Sequence, residues 1–223
     1  MEANLSSPEV VLANRRRLTK AITPLRSIFW GGLLCILDFN VFVQLGNQRS
    51  SFDILNDALG MMLIAGGVIV LAAQKVDPLY DWLMSSVSAV AFVFTVGAFV
   101  KQLQPEFFLR VQPLMPFFRV IGLASTVAFC VSMHRLSGTL SAWTIERSWK
   151  ITCSLFVFCV LVPGVILATL TLLVPTGAPL VAYSTILVIP GFLVAFVHLF
   201  LSTSRMAAFA RAHEPTRPQR SVV

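Results

Sequence analysis

Polar and ionisable side chains inside apolar runs are the first residues that could do chemistry. Asp38 and Asn40 lie in the run Cys35-Ile36-Leu37-Asp38-Phe39-Asn40, and Gln44 follows one helical turn later. Asp57, beside Asn56, opens a second apolar stretch, and Arg119 enters a fourth. At about 1.5 Å per residue, Asp38 stands ~10 Å and Asp57 ~5 Å inside the outer ends of their stretches. Asp38, Asn40, Asp57 and Arg119 are therefore expected at a similar depth. A charge at the centre of a bilayer costs ~2.5 kcal/mol or more, so such a group needs a partner, a proton or water. One reading is a site that handles a proton or a cation. The other is a lock between helices, Asp38 to Arg119 or to an asparagine. Asp57 has a further structural reading, because Asp53 and Asp57 would sit in the first turns of a helix, where acids favour the dipole. Ser50, three residues before Asp53, resembles a capping box.

A second feature is an internal echo. Pro163-Gly164 is followed by Ala168, and Pro190-Gly191 by Ala195, so both read P-G-x-x-x-A. The two prolines are expected at nearly one depth in helices of opposite direction. Each frees the carbonyl four residues earlier, at Cys159 and Ile186. Glycine and alanine one turn apart let backbones approach. Paired interruptions of this kind hold substrates in some transporters. They also occur as packing kinks satisfied locally, and matched kinks in two tightly packed helices are the structural alternative.

His134 and His198 fall near the inner ends of two apolar stretches, with Asp77 and Asp81 beside a neighbouring loop and His213 in the tail. A metal site needs three or four converging ligands, and no HxxxH or HExxH spacing supplies them. GxxxxGK[ST] and GxSxG are also missing, so ATP hydrolysis and α/β-hydrolase chemistry lack support. Cys35, Cys130, Cys153 and Cys159 all lie in apolar segments without a CxxC pair, and read as small core residues. No cofactor is expected.

The elements that must position these residues follow from composition. Hydrophobic residues make up 57% of the 223, charged residues 12%, and mean hydropathy is +0.82. A soluble domain is about one-quarter charged, so this surface is expected to face lipid. A crossing helix takes about 20 mostly apolar residues. Six stretches qualify, at 25–45, 54–73, 79–100, 115–134, 150–174 and 180–204. They exceed strand length and do not alternate, which favours helices over a β-barrel. The expected fold is an all-α bundle of about six transmembrane helices. With the N-terminus inside, thirteen Lys and Arg fall on the inner side and four (Arg49, Lys101, Arg110, Arg119) on the outer, the whole of the 17. That split satisfies the positive-inside rule with both ends cytoplasmic.

Three parts are expected. Residues 1–24 form a cytoplasmic basic arm. Ser7 and Pro8 can start a helix whose Val11, Leu18, Ile22 and Leu25 share a face, which suits an interfacial helix; the alternative is an unstructured arm. The basic run before residue 25 and the length of the apolar run favour a retained span over a cleaved signal. Residues 25–204 form the membrane domain. Its outer loop 102–116 carries three prolines and two phenylalanines, and its inner loop 136–149 places Leu136, Leu140, Trp143 and Arg147 at the spacing of a short surface helix. Residues 205–223 form a basic tail, expected to be disordered after about residue 211.

The segment Phe52-Asp53-Ile54-Leu55-Asn56-Asp57-Ala58-Leu59-Gly60, continuing to Gly66-Gly67, resembles a stretch in uncharacterised bacterial multi-pass membrane proteins. Those carry Asp-Ile-Leu, a second Asp, then Gly at the mouth of a span. Asn56 departs from that group, where a proline is commoner. The resemblance covers about 20 residues. It implies an inner-membrane setting, raises Asp53, Asp57 and Gly60 as positions to test, and assigns no activity.

Three classes of function remain. A structural or partner-binding membrane subunit fits the short loops and small-residue contacts. A small-solute or proton-coupled transporter or channel fits Asp38, Asp57, Arg119 and the kinks. A lipid-acting enzyme has only the basic inner face. The +7 net charge flanks apolar segments, so the expected partners are anionic headgroups and another membrane protein or a second copy, not nucleic acid.

Overall fold

The computed structural model describes residues 8–36, 40–45, 48–53, 57–104, 110–111, 114–139, 143–173 and 179–212. In order these form α1 (Pro8–Ile36), β1 (Asn40–Leu45), β2 (Gln48–Asp53), α2 (Asp57–Ala72), α3 (Pro78–Leu103), α4 (Met115–Gly138), α5 (Trp143–Phe156), a π-helical turn (Val157–Leu161), α6 (Val162–Leu173) and α7 (Pro179–Ala212). α5, the π-turn and α6 form one continuous rod.

Four helical segments are long and apolar enough to cross a membrane: Pro78–Lys101, Met115–Gly138, Trp143–Leu170 and Pro190–Phe209. Their most apolar windows are only 17% to 28% buried by the protein itself. Packing within the chain thus leaves most of that surface in need of an apolar solvent, which hydrocarbon provides and water does not.

The first two expected spans take a different form. The stretch 25–45 is not one helix: α1 ends at Ile36, and Asn40–Leu45 pairs antiparallel with Gln48–Asp53, from Asn40 opposite Asp53 to Leu45 opposite Gln48. The residue types explain the change. Asn40, Val41, Phe42 and Val43 are poor helix formers, and β-branched and aromatic residues suit a strand. Gly46-Asn47, between the two strands, is a pair that tight hairpin turns favour. α2 begins at Asp57 and holds 16 residues, ~24 Å at helical rise, which is shorter than a ~30 Å core. At the other end, α1 runs unbroken through Pro24, so residues 8–24 share one helix with the first apolar stretch.

The inner loop also differs from the expected surface helix. α4 continues to Gly138 and α5 starts at Trp143, so Leu136 and Trp143 belong to two long helices. α7 extends through Arg211 to Ala212; residues 213–223, with His213, and residues 1–7, with Ser7, lie outside the described residues.

Neighbouring helices run antiparallel, and small residues set their spacing. Along α1 and α2, a Cβ at Gly31 would lie 2.5 Å from the Gly60 carbonyl oxygen, and one at Gly67 would lie 2.7 Å from that of Pro24. Ser27 donates to the Leu63 carbonyl at 2.9 Å. α3 is started by Asp77, whose carboxylate accepts from the Tyr80 amide at 2.7 Å, with Pro78 next to the cap. The Tyr80 hydroxyl donates to the Leu71 carbonyl at 2.8 Å, and so fixes the start of α3 to the end of α2. The largest fully buried side chains, Trp149, Tyr80, Leu71, Met84, Met133, Leu136 and Met206, come from α2, α3, α4, α5 and α7. They gather where α4 ends and α5 starts. Phe29 joins α1 to α7 through Phe200, with ring centroids 4.6 Å apart.

Candidate functional site

Polar groups collect at both ends of the bundle. At one end, Asp57 opens α2 and Lys101 lies in the last turn of α3. Their Oδ2 and Nζ atoms are 3.0 Å apart. The antiparallel run of the two helices brings the residues together, and it is continued by Thr95, which donates to the Met61 carbonyl at 3.2 Å. The Cys35 thiol points at the Asp57 carbonyl, 3.8 Å away. A groove of about 530 Å³ opens beside this pair, lined by Cys35, Met61, Phe94, Gly97 and Phe118 among others. The ammonium neutralises the carboxylate, so the pair acts as a clasp between α2 and α3 at the groove's mouth.

The expected four-residue cluster is thus only partly visible. Asp57 is paired with Lys101, which sequence reasoning counted only as an outer flank charge. Arg119 is exposed in the early turns of α4. Asn40 stands in β1 opposite Asp53. Asp38 lies outside the described residues.

At the opposite end, α5 and α7 enclose a chain of hydroxyls. Ser148, Thr152 and Ser202 are each 1% exposed or less, and such groups are stable inside only when hydrogen-bonded. The Ser148 and Ser202 oxygens are 2.8 Å apart, as are those of Thr152 and Ser202. Thr152 Oγ1 lies 2.8 Å from His198 Nδ1 and 3.0 Å from the Ser148 carbonyl oxygen. Arg205 Nη1 donates to Ser148 Oγ at 3.3 Å. A hydroxyl has one proton and two lone pairs, and one arrangement satisfies these contacts together. Arg205 donates to Ser148, Ser148 to Ser202, Ser202 to Thr152, and Thr152 to the Ser148 carbonyl, while His198 Nδ1–H donates to Thr152. The network joins a cation, three hydroxyls and an imidazole, and no carboxylate lies in it among the described residues. It ties α5 to α7 and makes a continuous hydrogen-bonded path from His198 to Ser148.

The remaining acids and histidines near this end have local partners. Asp77 caps α3, and Asp81 accepts from the Val76 amide at 3.3 Å. His134 Nε2 is 3.8 Å from a Glu146 carboxylate oxygen, and its Nδ1 is 3.3 Å from the Glu146 carbonyl, which pins α4 to α5. Among the described residues no three His, Cys, Asp or Glu converge as metal ligands.

The two Pro-Gly pairs face different neighbours. Pro163 follows the π-turn, where the Val162 amide bonds to the Val157 carbonyl, five residues back. With no N–H on Pro163, the Cys159 carbonyl has no donor four residues on. Gly191 faces that carbonyl: a Cβ there would lie 3.1 Å from both Cys159 O and Cys159 Cβ. A Cβ at Gly164 would overlap Leu123 on α4. Ala195 is fully buried, Ala168 half-buried and Pro190 exposed. The glycines therefore set the approach of the π-turn to α7 and of α6 to α4.

Comparison with protein-family models, with curated proteins and with solved structures finds no match to this chain.

Proposed function

We propose that the chain is a six-pass membrane protein with both ends cytoplasmic, seated in an inner membrane, and that it serves as a structural or partner-binding subunit. The six passes are α1, α2, α3, α4, the α5–α6 rod and α7. The antiparallel order of these helices and the thirteen-to-four division of Lys and Arg support that path. Its partners are anionic headgroups and a second membrane protein or a second copy of the chain.

The observation that carries the subunit reading is the 3.0 Å clasp between Asp57 and Lys101. The Asp57 carboxylate has its counter-charge on a neighbouring helix, so its place at the start of α2 is explained without a cargo cation. The glycine contacts at positions 164 and 191 likewise use the Pro-Gly pairs for close packing. The test is isolation from native membranes with a mild detergent, together with solute and proton flux in sealed vesicles. A stoichiometric partner or homo-oligomer and no flux above empty vesicles support the reading. Saturable flux that Asp57→Asn abolishes, in a protein that still folds, rejects it.

The Arg205–Ser148–Ser202–Thr152–His198 chain favours a second reading, a proton-coupled or small-solute transporter. Thr152 and His198 lie one turn or less from Phe156 and Leu199, which line a cavity of about 340 Å³ between α1, α2, α3, α4, α5 and α7. Flux lost on Thr152→Val or His198→Gln and retained on Asp57→Asn would select this reading.

A further inference from the structure

A groove of about 570 Å³ runs along one face of α5 into the π-turn, with His134 of α4 beside it. Its side chains change character along its length. Trp143, Arg147 and Lys150 form the rim, and Ile151, Leu155 and Phe158 form the wall beyond. Arg147 stacks on Trp143, its guanidinium carbon 5.5 Å from the ring centroid. Arg147 and Lys150 are three residues apart and so share a helix face. Phe158 is 72% exposed and Trp143 67%, so the protein itself leaves both ends of the groove uncovered.

Lengths and charges fit one occupant. From Lys150 to Phe158 the wall rises ~12 Å, close to the ~15 Å of one leaflet's hydrocarbon. The rim then falls at headgroup level, where an indole is at home and where Arg and Lys carry their charge to the interface. Glu146 also lines the rim, but its carboxylate faces His134 at 3.8 Å. Two cations thus stand against one carboxylate, which is turned toward α4.

We propose that this groove binds one anionic glycerophospholipid from the leaflet that meets the start of α5. Its phosphate sits between Arg147 and Lys150, and one acyl chain lies along Ile151, Leu155 and Phe158. The site narrows the anionic-lipid contact proposed above from a diffuse basic face to a defined groove, and it rests on the membrane placement of α5.

The full-length protein in detergent is titrated with dioleoylphosphatidylglycerol, with dioleoylphosphatidylcholine and with inorganic phosphate, and bound lipid is counted by native mass spectrometry. One lipid is expected to bind with about tenfold preference for the anionic headgroup, the scale of cationic side chains at an anionic surface. Arg147→Gln with Lys150→Gln should remove the preference, and Lys20→Gln should leave it intact. Phe158→Ala should weaken both lipids alike. Equal binding of the two lipids, or a preference that survives the double substitution, overturns the proposal. Displacement of the lipid by millimolar phosphate would show a headgroup-only anion site and also overturn it. Binding in detergent does not depend on which leaflet the rim faces. A reporter placing the C-terminus outside therefore rejects the proposed topology and leaves the groove standing, whereas failed binding does the reverse.

Discussion

Replacing Gly60 by alanine isolates what holds α1 against α2. The added methyl would stand 2.5 Å from Cys35 Sγ, 2.7 Å from the Gly31 carbonyl oxygen and 3.2 Å from the Cys35 amide nitrogen. Ordinary contact needs about an ångström more, and two of the three atoms are backbone, so the helices themselves must separate. Overpacking of this kind costs ~1–3 kcal/mol. Alanine's better helix propensity returns ~1 kcal/mol at most, which leaves a net loss of up to ~2 kcal/mol. Gly66 is the internal control, because a Cβ there meets nothing within 4 Å, and Gly66→Ala should keep only the propensity gain. The two substitutions, six residues apart on one helix, are expected to differ by ~2 kcal/mol, roughly 30-fold in the folding equilibrium. Reversible unfolding in mixed dodecylmaltoside–SDS micelles, followed by circular dichroism, measures this. Gly31→Ala touches the same contact, so the pair Gly31→Ala with Gly60→Ala should cost less than the sum of the two. Equal stabilisation by Gly60→Ala and Gly66→Ala would refute the close approach of the two helices.

Gly191→Cys should form a disulfide with native Cys159 under mild oxidation, since the Cβ positions are 3.1 Å apart and a small opening reaches disulfide geometry; linked peptides found by mass spectrometry and lost on Cys159→Ser confirm it, and no linkage removes the π-turn–α7 contact. Thr152→Val deletes a hydroxyl that touches His198, Ser202 and the Ser148 carbonyl, and should destabilise by ~1–3 kcal/mol because buried partners lose their bonds, while Thr169→Val, exposed on α6, stays within ~0.5 kcal/mol. Lys101→Met should cost under ~1 kcal/mol, as its side chain is 55% exposed and such pairs are screened; a double-mutant cycle with Asp57→Asn that shows no coupling would mean that the clasp does not persist in solution.

Hydropathy made α3, α4, the α5–α6 rod and α7 legible, because a long apolar window leaves few alternatives. It misled at Asn40–Leu45 because it sums apolarity and ignores backbone preference. Val41, Phe42, Val43 and Leu45 score well in a span and equally well in a strand, and the Gly46-Asn47 pair was the signal that separates the two. Lys101 was missed as the partner of Asp57 since the two stand 44 positions apart and only the antiparallel path closes the distance. The hydroxyl–imidazole network left a readable trace. Ser148 with Thr152 and His198 with Ser202 are each spaced four apart, which puts each pair on one helical face. Single Ser and Thr residues are common in apolar helices, so the pattern emerges only when both helices are compared. The depth of Asp38 was inferred from a helix over 25–45, and Asp38 itself lies outside the described residues.

The five-residue turn at Val157–Leu161 carries one residue more than an α-helical path of the same contacts needs. Each residue advances a helix by about 100°, so this surplus fixes the azimuth at which the upper half of the rod leaves the lower. Removing Val160 would let the ladder close in the ordinary way. It would also rotate everything beyond, swinging Gly164 away from Leu123 while Thr152 kept its place beside Ser202. The alignment of the two halves is therefore encoded in chain length at this point, and an insertion or deletion here reaches farther than any side-chain replacement.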